Sequence, residues 1–229
     1  MAIAFGAGLG SLYTNTDLNS YAFTTTTPTT GRLAVLFVGA TGAASTTPTR
    51  PTPSGLGFTW TFVAETIDTA GTVRAIVGMW TGVGTGSGTT LTVGFGGITH
   101  TGCAYSLAEY TGANTTTPIV QSGVGSGGTG TGLVTLGAAP TSLAVVGGFH
   151  HLTNEAVTAG TSFTLANVSR NGATPSIGFG AEYQLANDQT IDMTWTTTST
   201  KWRGVGAELA VAAAAGGHPH GRLPLAGVG

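Results

Sequence analysis

The sequence predicts an all-β protein, an antiparallel jelly-roll-like β-sandwich. Three observations carry that expectation. Large apolar residues alternate with Thr in successive segments, the period-two signature of half-buried strands. Gly (39 of 229 residues) and Thr (44) interrupt the chain too often for an apolar stripe of helical spacing to run on. Hydrophobic residues make up 41%, enough to bury a sizeable core and to set the chain apart from charged, disordered sequences.

The strands are predicted in order. Leu33–Val38 is a continuous apolar run, read as a buried strand. Phe58–Val63 alternates large apolar residues with Thr, whose branched Cβ suits a pleat and whose hydroxyl stays hydrated. Val73–Trp80, Thr90–Phe95 and Ala104–Tyr110 follow, separated by Gly-rich turns. Between them Thr41–Pro53, with Pro48, Pro51 and Pro53, reads as a long surface loop. The second half repeats the plan. Ser142–Gly147 echoes Arg32–Phe37, Ser162–Leu165 echoes Gly57–Trp60, Thr190–Trp195 echoes Thr90–Phe95, and Gly206–Leu209 echoes Leu107–Tyr110. The offset is roughly 100–110 residues, which reads as an internal duplication, with convergent patterning of a Gly/Thr-rich sequence as the alternative.

Small β units have thin cores, so both halves are expected in one sandwich of two sheets. The expected domain is 1–211, with repeat-like halves at about 32–112 and 142–211, followed by an extended C-terminal arm at 212–229. Gly123–Gly132 reads as a linker or as a loop within the sandwich. The expected core includes Val35, Phe37, Phe58, Trp60, Phe62, Val145, Phe163 and Trp195.

Charge narrows the function. Asp, Glu, Lys and Arg make up 7% of the chain, against roughly 25% in an ordinary soluble domain. A monomer of this size relies on surface charge to stay dispersed, so the composition points to a chain that hides surface in an assembly. Lys and Arg stand singly, leaving no basic stripe for nucleic acid. No apolar run approaches the ~20 residues of a membrane-spanning helix, and Met1–Gly10 lacks the positive region of an export signal. The expectation is a protein made in the cytoplasm and used without export, with no membrane insertion.

Few residues suggest chemistry. His150 and His151, with Glu155 nearby and His100 brought in by the fold, resemble a metal or acid–base cluster. Adjacent strand residues point to opposite faces, however, so both rings cannot readily share one ion. Glu109 and Glu208 hold equivalent repeat positions, and paired carboxylates suggest glycoside hydrolysis; the alternative is a solvent-facing or Arg-paired role, with Arg203 one partner. Cys103, the lone cysteine, sits among small residues and reads as a buried thiol. Gly84–Gly88 and Gly125–Gly132 lack the Lys-Ser/Thr ending of a phosphate loop. Asn114 and Asn167 match the glycosylation pattern, which means little without export. Trp60, Trp80, Trp195 and Trp202 read as core, with sugar stacking the competing role. No catalytic, metal or cofactor-binding residue is assigned, and no cofactor is expected. In the tail, His218, His220, Arg222, Leu223 and Leu225 are candidates for docking into a neighbouring subunit.

One resemblance emerges from these segments. A Leu-Ala-Val strand, then Ala108–Pro118 (Ala-Glu-Tyr-Thr-Gly-Ala-Asn-Thr-Thr-Thr-Pro), a Gly/Ser/Thr run, Ser142–Gly148, and the closing Trp202–Leu209 together resemble Gly/Thr-rich β proteins of tailed-bacteriophage virions. The resemblance covers roughly residues 30–210 and is compositional, with no catalytic signature. It implies a jelly-roll or concanavalin-like sandwich and a non-enzymatic virion structural protein, a minor tail or capsid-surface (decoration) component. Its partners would be other virion proteins and further copies of itself, with a host-surface glycan as a further contact. The alternatives are a free carbohydrate-binding module and a sandwich-fold glycoside hydrolase using Glu109 and Glu208.

Overall fold

The computed structural model describes residues 2–42, 46–69, 71, 74–198 and 200–213. Within them the chain forms strands and no helix. Eight strands come from the first half: β1 (Ala4–Thr14), β2 (Ser20–Thr24), β3 (Leu33–Gly42), β4 (Thr52–Gly55), β5 (Thr61–Ile67), β6 (Arg74–Val83), β7 (Thr90–Gly94) and β8 (His100–Thr111). They build a large sheet ordered β1-β8-β3-β6-β5 and a small sheet ordered β2-β7-β4, antiparallel throughout. This alternation of strands between two facing sheets is the jelly-roll arrangement.

The second half contributes β9 (Ile119–Gly127), β10 (Thr131–Thr135), β11 (Val145–His151), β12 (Thr158–Ala159), β13 (Thr164–Leu165), β14 (Arg170–Ala173), β15 (Ser176–Gln184), β16 (Thr190–Thr194) and β17 (Trp202–Leu209). Its large sheet runs β13-β15-β11-β17-β9, with β14 also on β15, and its small sheet runs β10-β16-β12. Substituting β9 for β1, β10 for β2 and so on reproduces the first half's order, with β13 and β14 together standing for β5. The duplication read from sequence is therefore present in the strand topology.

The two halves pack through their large sheets, giving four layers rather than one pair of sheets. Residues such as Tyr21, Leu36, Leu91 and Leu107 fill a core inside the first half, and Phe149, Ile191 and Met193 fill one inside the second. A third core between the large sheets draws on both, including Val35, Phe37, Val77, Phe179, Val205 and Leu209. The physical reason lies in the central strands. Strand β3 is buried along its whole length and so is β11, so each large sheet is apolar on both faces and must be covered twice. The continuous apolar run at Leu33–Val38 carries that property in the sequence.

The hydrogen-bond register defines the repeat. Glu109 of β8 pairs with Ala34, and Glu208 of β17 pairs with Val145, so Ala34 corresponds to Val145. The sequence echo had aligned Ala34 with Ala144. That slip of one residue would exchange the two faces of the strand. In the stack β3 lies over β11, β6 over β17, β5 over β9, β8 over β15 and β1 over β14. Each strand thus meets the counterpart of a different strand, apart from β3 and β11, which meet each other. This is the pattern of a two-fold axis between the halves, as in an isologous dimer joined into one chain.

Complementary side chains lock the middle core. Phe37 occupies the space left beside Gly148, and a Cβ on Gly39 would stand 2.6 Å from the Phe179 ring. Phe5 stacks on Tyr183 with centroids 4.4 Å apart. Asp68, buried at the end of β5, pairs across the halves with Lys201 (3.2 Å) and Arg203 (3.0 Å).

Several sequence expectations are corrected. Gly123–Gly132 is neither linker nor loop: most of it lies in β9 and β10, whose glycines let the two strands approach closely. The apolar N-terminus forms the edge strand β1. Val35, Phe37, Val145, Phe163 and Trp195 are buried as expected, but Phe58 and Trp60 are half-buried and Phe62 is 37% exposed. The ladder begins only at Thr61 and is broken by a bulge between Phe62 and Ala64, so Phe58–Phe62 runs over the rim of the first core. One face of Phe62 is covered by the Arg50 guanidinium, 3.9 Å from the ring centroid.

Candidate functional site

The histidine pair divides as strand geometry requires. His150 points into the middle core and is fully buried; a Cβ on Gly39 would lie 3.3 Å from its own Cβ. Burial, with His151 and Arg203 nearby, holds its pKa down to about 3. His151 points the other way, stacks on Trp195 at 4.4 Å, and shares a 2.6 Å hydrogen bond between Nδ1 and Thr153 Oγ1. Burial lowers its pKa to about 4. Glu155 is spent on Thr197, accepting from its backbone N–H (2.8 Å) and its hydroxyl (2.5 Å). His100 stacks on Phe95 in the first half, 3.9 Å between centroids. Among the described residues no group of three or more His, Cys, Asp or Glu is placed to hold a metal ion.

Glu109 and Glu208 are not brought together. Alternation along β8 and β17 turns them toward the first and second inner cores, with both large sheets between them. Each anchors the loop that enters the central strand of its half. Glu109 accepts from Thr29 N–H (2.9 Å), the Thr29 hydroxyl (2.8 Å) and Arg32 (2.5 Å). Glu208 accepts from the backbone N–H groups of Thr141 (2.6 Å) and Ser142 (2.7 Å) and from Gln121 (2.7 Å). Those donors hold the Glu208 carboxyl below its usual pKa despite burial. The repeat thus conserves a loop-anchoring carboxylate.

A third buried glutamate escaped the sequence reading. Glu182 on β15 is fully buried and accepts one bond, from Gly160 N–H at 2.9 Å. Burial, with Asp192 and Asp188 adding repulsion, raises its pKa to about 8. The tripeptide Ala181-Glu182-Tyr183 repeats Ala108-Glu109-Tyr110, a signal that was there to be found. Cys103 is fully buried, and burial pushes its thiol up. Trp80, Trp195 and Trp202 are buried.

A concave feature lies where the halves meet at one side. Two adjoining cavities of about 320 and 330 Å³ share Thr61, Thr81 and Pro118. The walls come from β5 and β6 on one side and from the Thr115–Ser122 stretch on the other. None of the lining residues is charged. Sequence reading missed this groove because its walls are far apart in the chain. The docking candidates His218, His220, Arg222, Leu223 and Leu225 lie outside the described residues.

Comparison with known proteins adds little. No family model matches the chain, and no curated protein matches it. A solved structure titled Red Clover Necrotic Mosaic Virus aligns over 81% of this chain and 82% of its own, at 11% identity and a TM-score of 0.24. At that score it carries no argument, and the architecture rests on the hydrogen-bonded ladders.

Proposed function

We propose that this chain is a non-enzymatic structural protein of a tailed-bacteriophage virion, a minor tail or capsid-surface component. In this reading it is held among other virion proteins or copies of itself and presents a face to host-surface glycan. One observation carries the reading. Among the described residues only Asp17, Arg50 and Lys201 of the charged side chains are exposed. Asp68, Glu109, Glu182 and Glu208 are buried, so the surface is poorer in charge than the composition already implied. Edge strand β9 adds to this: it carries no charge and exposes Val120 and Val124 at 52% each, beside Leu133 at 45%. Natural sheet edges are usually guarded by charge, proline or bulges; β9 has Pro118 and a bulge at Val120 at its start only, and the uncharged remainder suits a permanent neighbour. Jelly-roll sheets recur in virus coats, which fits the reading by analogy of fold.

Sedimentation velocity of the purified chain over a range of concentrations tests the proposal. Self-association that strengthens with concentration supports it. A stable monomer at every concentration favours the free carbohydrate-binding module.

A further inference from the structure

The two-fold arrangement makes two places on the molecule equivalent, and only one of them is filled. Gly8 of β1 pairs with Ala108, and Ser122 of β9 pairs with Ala207. Since Glu109 and Glu208 correspond, so do Ala108 and Ala207, and therefore Gly8 and Ser122. Over Gly8 the second half closes the space. Ala166–Ser169 leave the ladder between β13 and β14 and lean on β1. Asn167 seats against Gly8 and donates to Ser106 Oγ and Leu107 O, both at 2.9 Å. Ser11 Oγ donates to Val168 O at 2.9 Å. Over Ser122 the matching stretch of the first half stays in the ladder, with a single bulge at Val63. Beside it, the same register sets Thr81 and Ile119 of the groove against Tyr183 and Phe5, whose rings stack 4.4 Å apart and fill at the other end the space that the groove leaves open.

The walls say what would fit. Hydroxyls line the groove, among them Thr61, Thr81, Thr116 and Ser122, and each can both donate and accept. Val63, Pro118 and Ile119 supply apolar surface between them. Without a charged wall the groove has nothing to offset the desolvation of an anionic or cationic ligand. Its volume falls at the lower end of the range for small-molecule sites. A ligand that alternates hydroxyls with C–H faces and bears no charge matches both kinds of wall. We infer that the groove between β5 and β9 is a binding site for a neutral oligosaccharide, opened because Thr81 and Ile119 stand where Tyr183 and Phe5 stack at the other end. The inference deepens the glycan-contact part of the proposed function and rests on that reading. Its failure would leave the sedimentation result untouched, so the two can fail separately.

Saturation-transfer NMR on the full chain provides the test, since it reads ligand signals and tolerates large assemblies. The probes are neutral hexasaccharides (maltohexaose, cellohexaose, mannohexaose and chitohexaose). At least one hexasaccharide should give a saturable signal. That signal should fall at least tenfold in Ser122→Trp and in Thr61→Trp, two plugs on opposite walls, and should persist in Thr135→Trp on an exposed position of β10. Circular dichroism identifies any plug variant that fails to fold, and the other then decides. The inference is overturned if no hexasaccharide saturates or if the signal survives a folded plug variant.

Discussion

Replacing Phe37 by Ala should unfold both halves more easily, not one. The ring is 3% exposed and lies in the core between the large sheets, filling the space beside Gly148 of the opposite half. Removing it takes away about 2 kcal/mol of transfer free energy. A residual cavity on the order of 100 Å³ adds about 2.4 kcal/mol, for a total near 4 kcal/mol, within the range of Phe-to-Ala substitutions in cores. With a urea dependence of about 2–3 kcal/mol per molar, the midpoint should fall by about 1.5 M. Each half carries its own reporters, Trp60 and Trp80 in the first and Trp195 and Trp202 in the second. Two variants, each keeping one half's pair of Trp and replacing the other pair with Phe, should report coincident transitions at one fixed protein concentration. Both should shift together when Phe37 is replaced. A Gly148→Ala substitution should be costly with Phe37 present and much cheaper in Phe37→Ala, because its Cβ collides with that ring. A shift confined to the first-half reporter would refute the shared core.

Two further predictions follow from the buried groups and from the tail. Stability should peak near pH 6.5. His150 and His151, neutral in the fold with pKa values of about 3 and 4, lose stability as pH falls below the ordinary His value near 6.5, because the unfolded chain takes up the protons. Glu182, protonated in the fold up to about pH 8, contributes fully below about 4.5 and loses that contribution as pH rises from there to 8. Two groups outweigh one between about 4.5 and 6.5, so stability climbs there by about 1.4 kcal/mol per pH unit; above 6.5 Glu182 alone makes it fall at a similar slope. Urea midpoints across pH check this, and Glu182→Gln should flatten the alkaline limb and steepen the acid limb to about 2.7 kcal/mol per pH unit. Deleting residues 213–229, which carry the docking candidates, should leave the far-ultraviolet spectrum and melting unchanged and abolish incorporation into particles; normal incorporation would place the contacts on the sandwich itself.

The fold class and the repeated plan were legible because both depend on local pattern. Alternating Thr with apolar residues marks a strand wherever it occurs, and the Ala-Glu pair at the end of β8 and β17 repeats because each half needs a carboxylate to hold the same loop. The opposed faces of His150 and His151 were legible for the same reason. The four-layer stack was not drawn from the sequence, although the unbroken apolar run of β3 held the clue that both faces of its sheet are covered. Strands β9 and β10 were missed because close approach there requires the very glycines that read as linker. The exposure of Phe62 was missed because one bulge ends the alternation that placed it inside. The groove was invisible because Thr81 and Ile119 line it from different halves, and their counterparts Tyr183 and Phe5 are found only through the ladders.

The virion assignment is tested most directly by quantitative peptide mass spectrometry of gradient-purified particles from a phage that encodes this sequence. The account predicts peptides of this chain in the particle band, at a fixed ratio to the major head protein that survives a second gradient. Finding the chain only in the free-protein fractions, with none in particles, would contradict it.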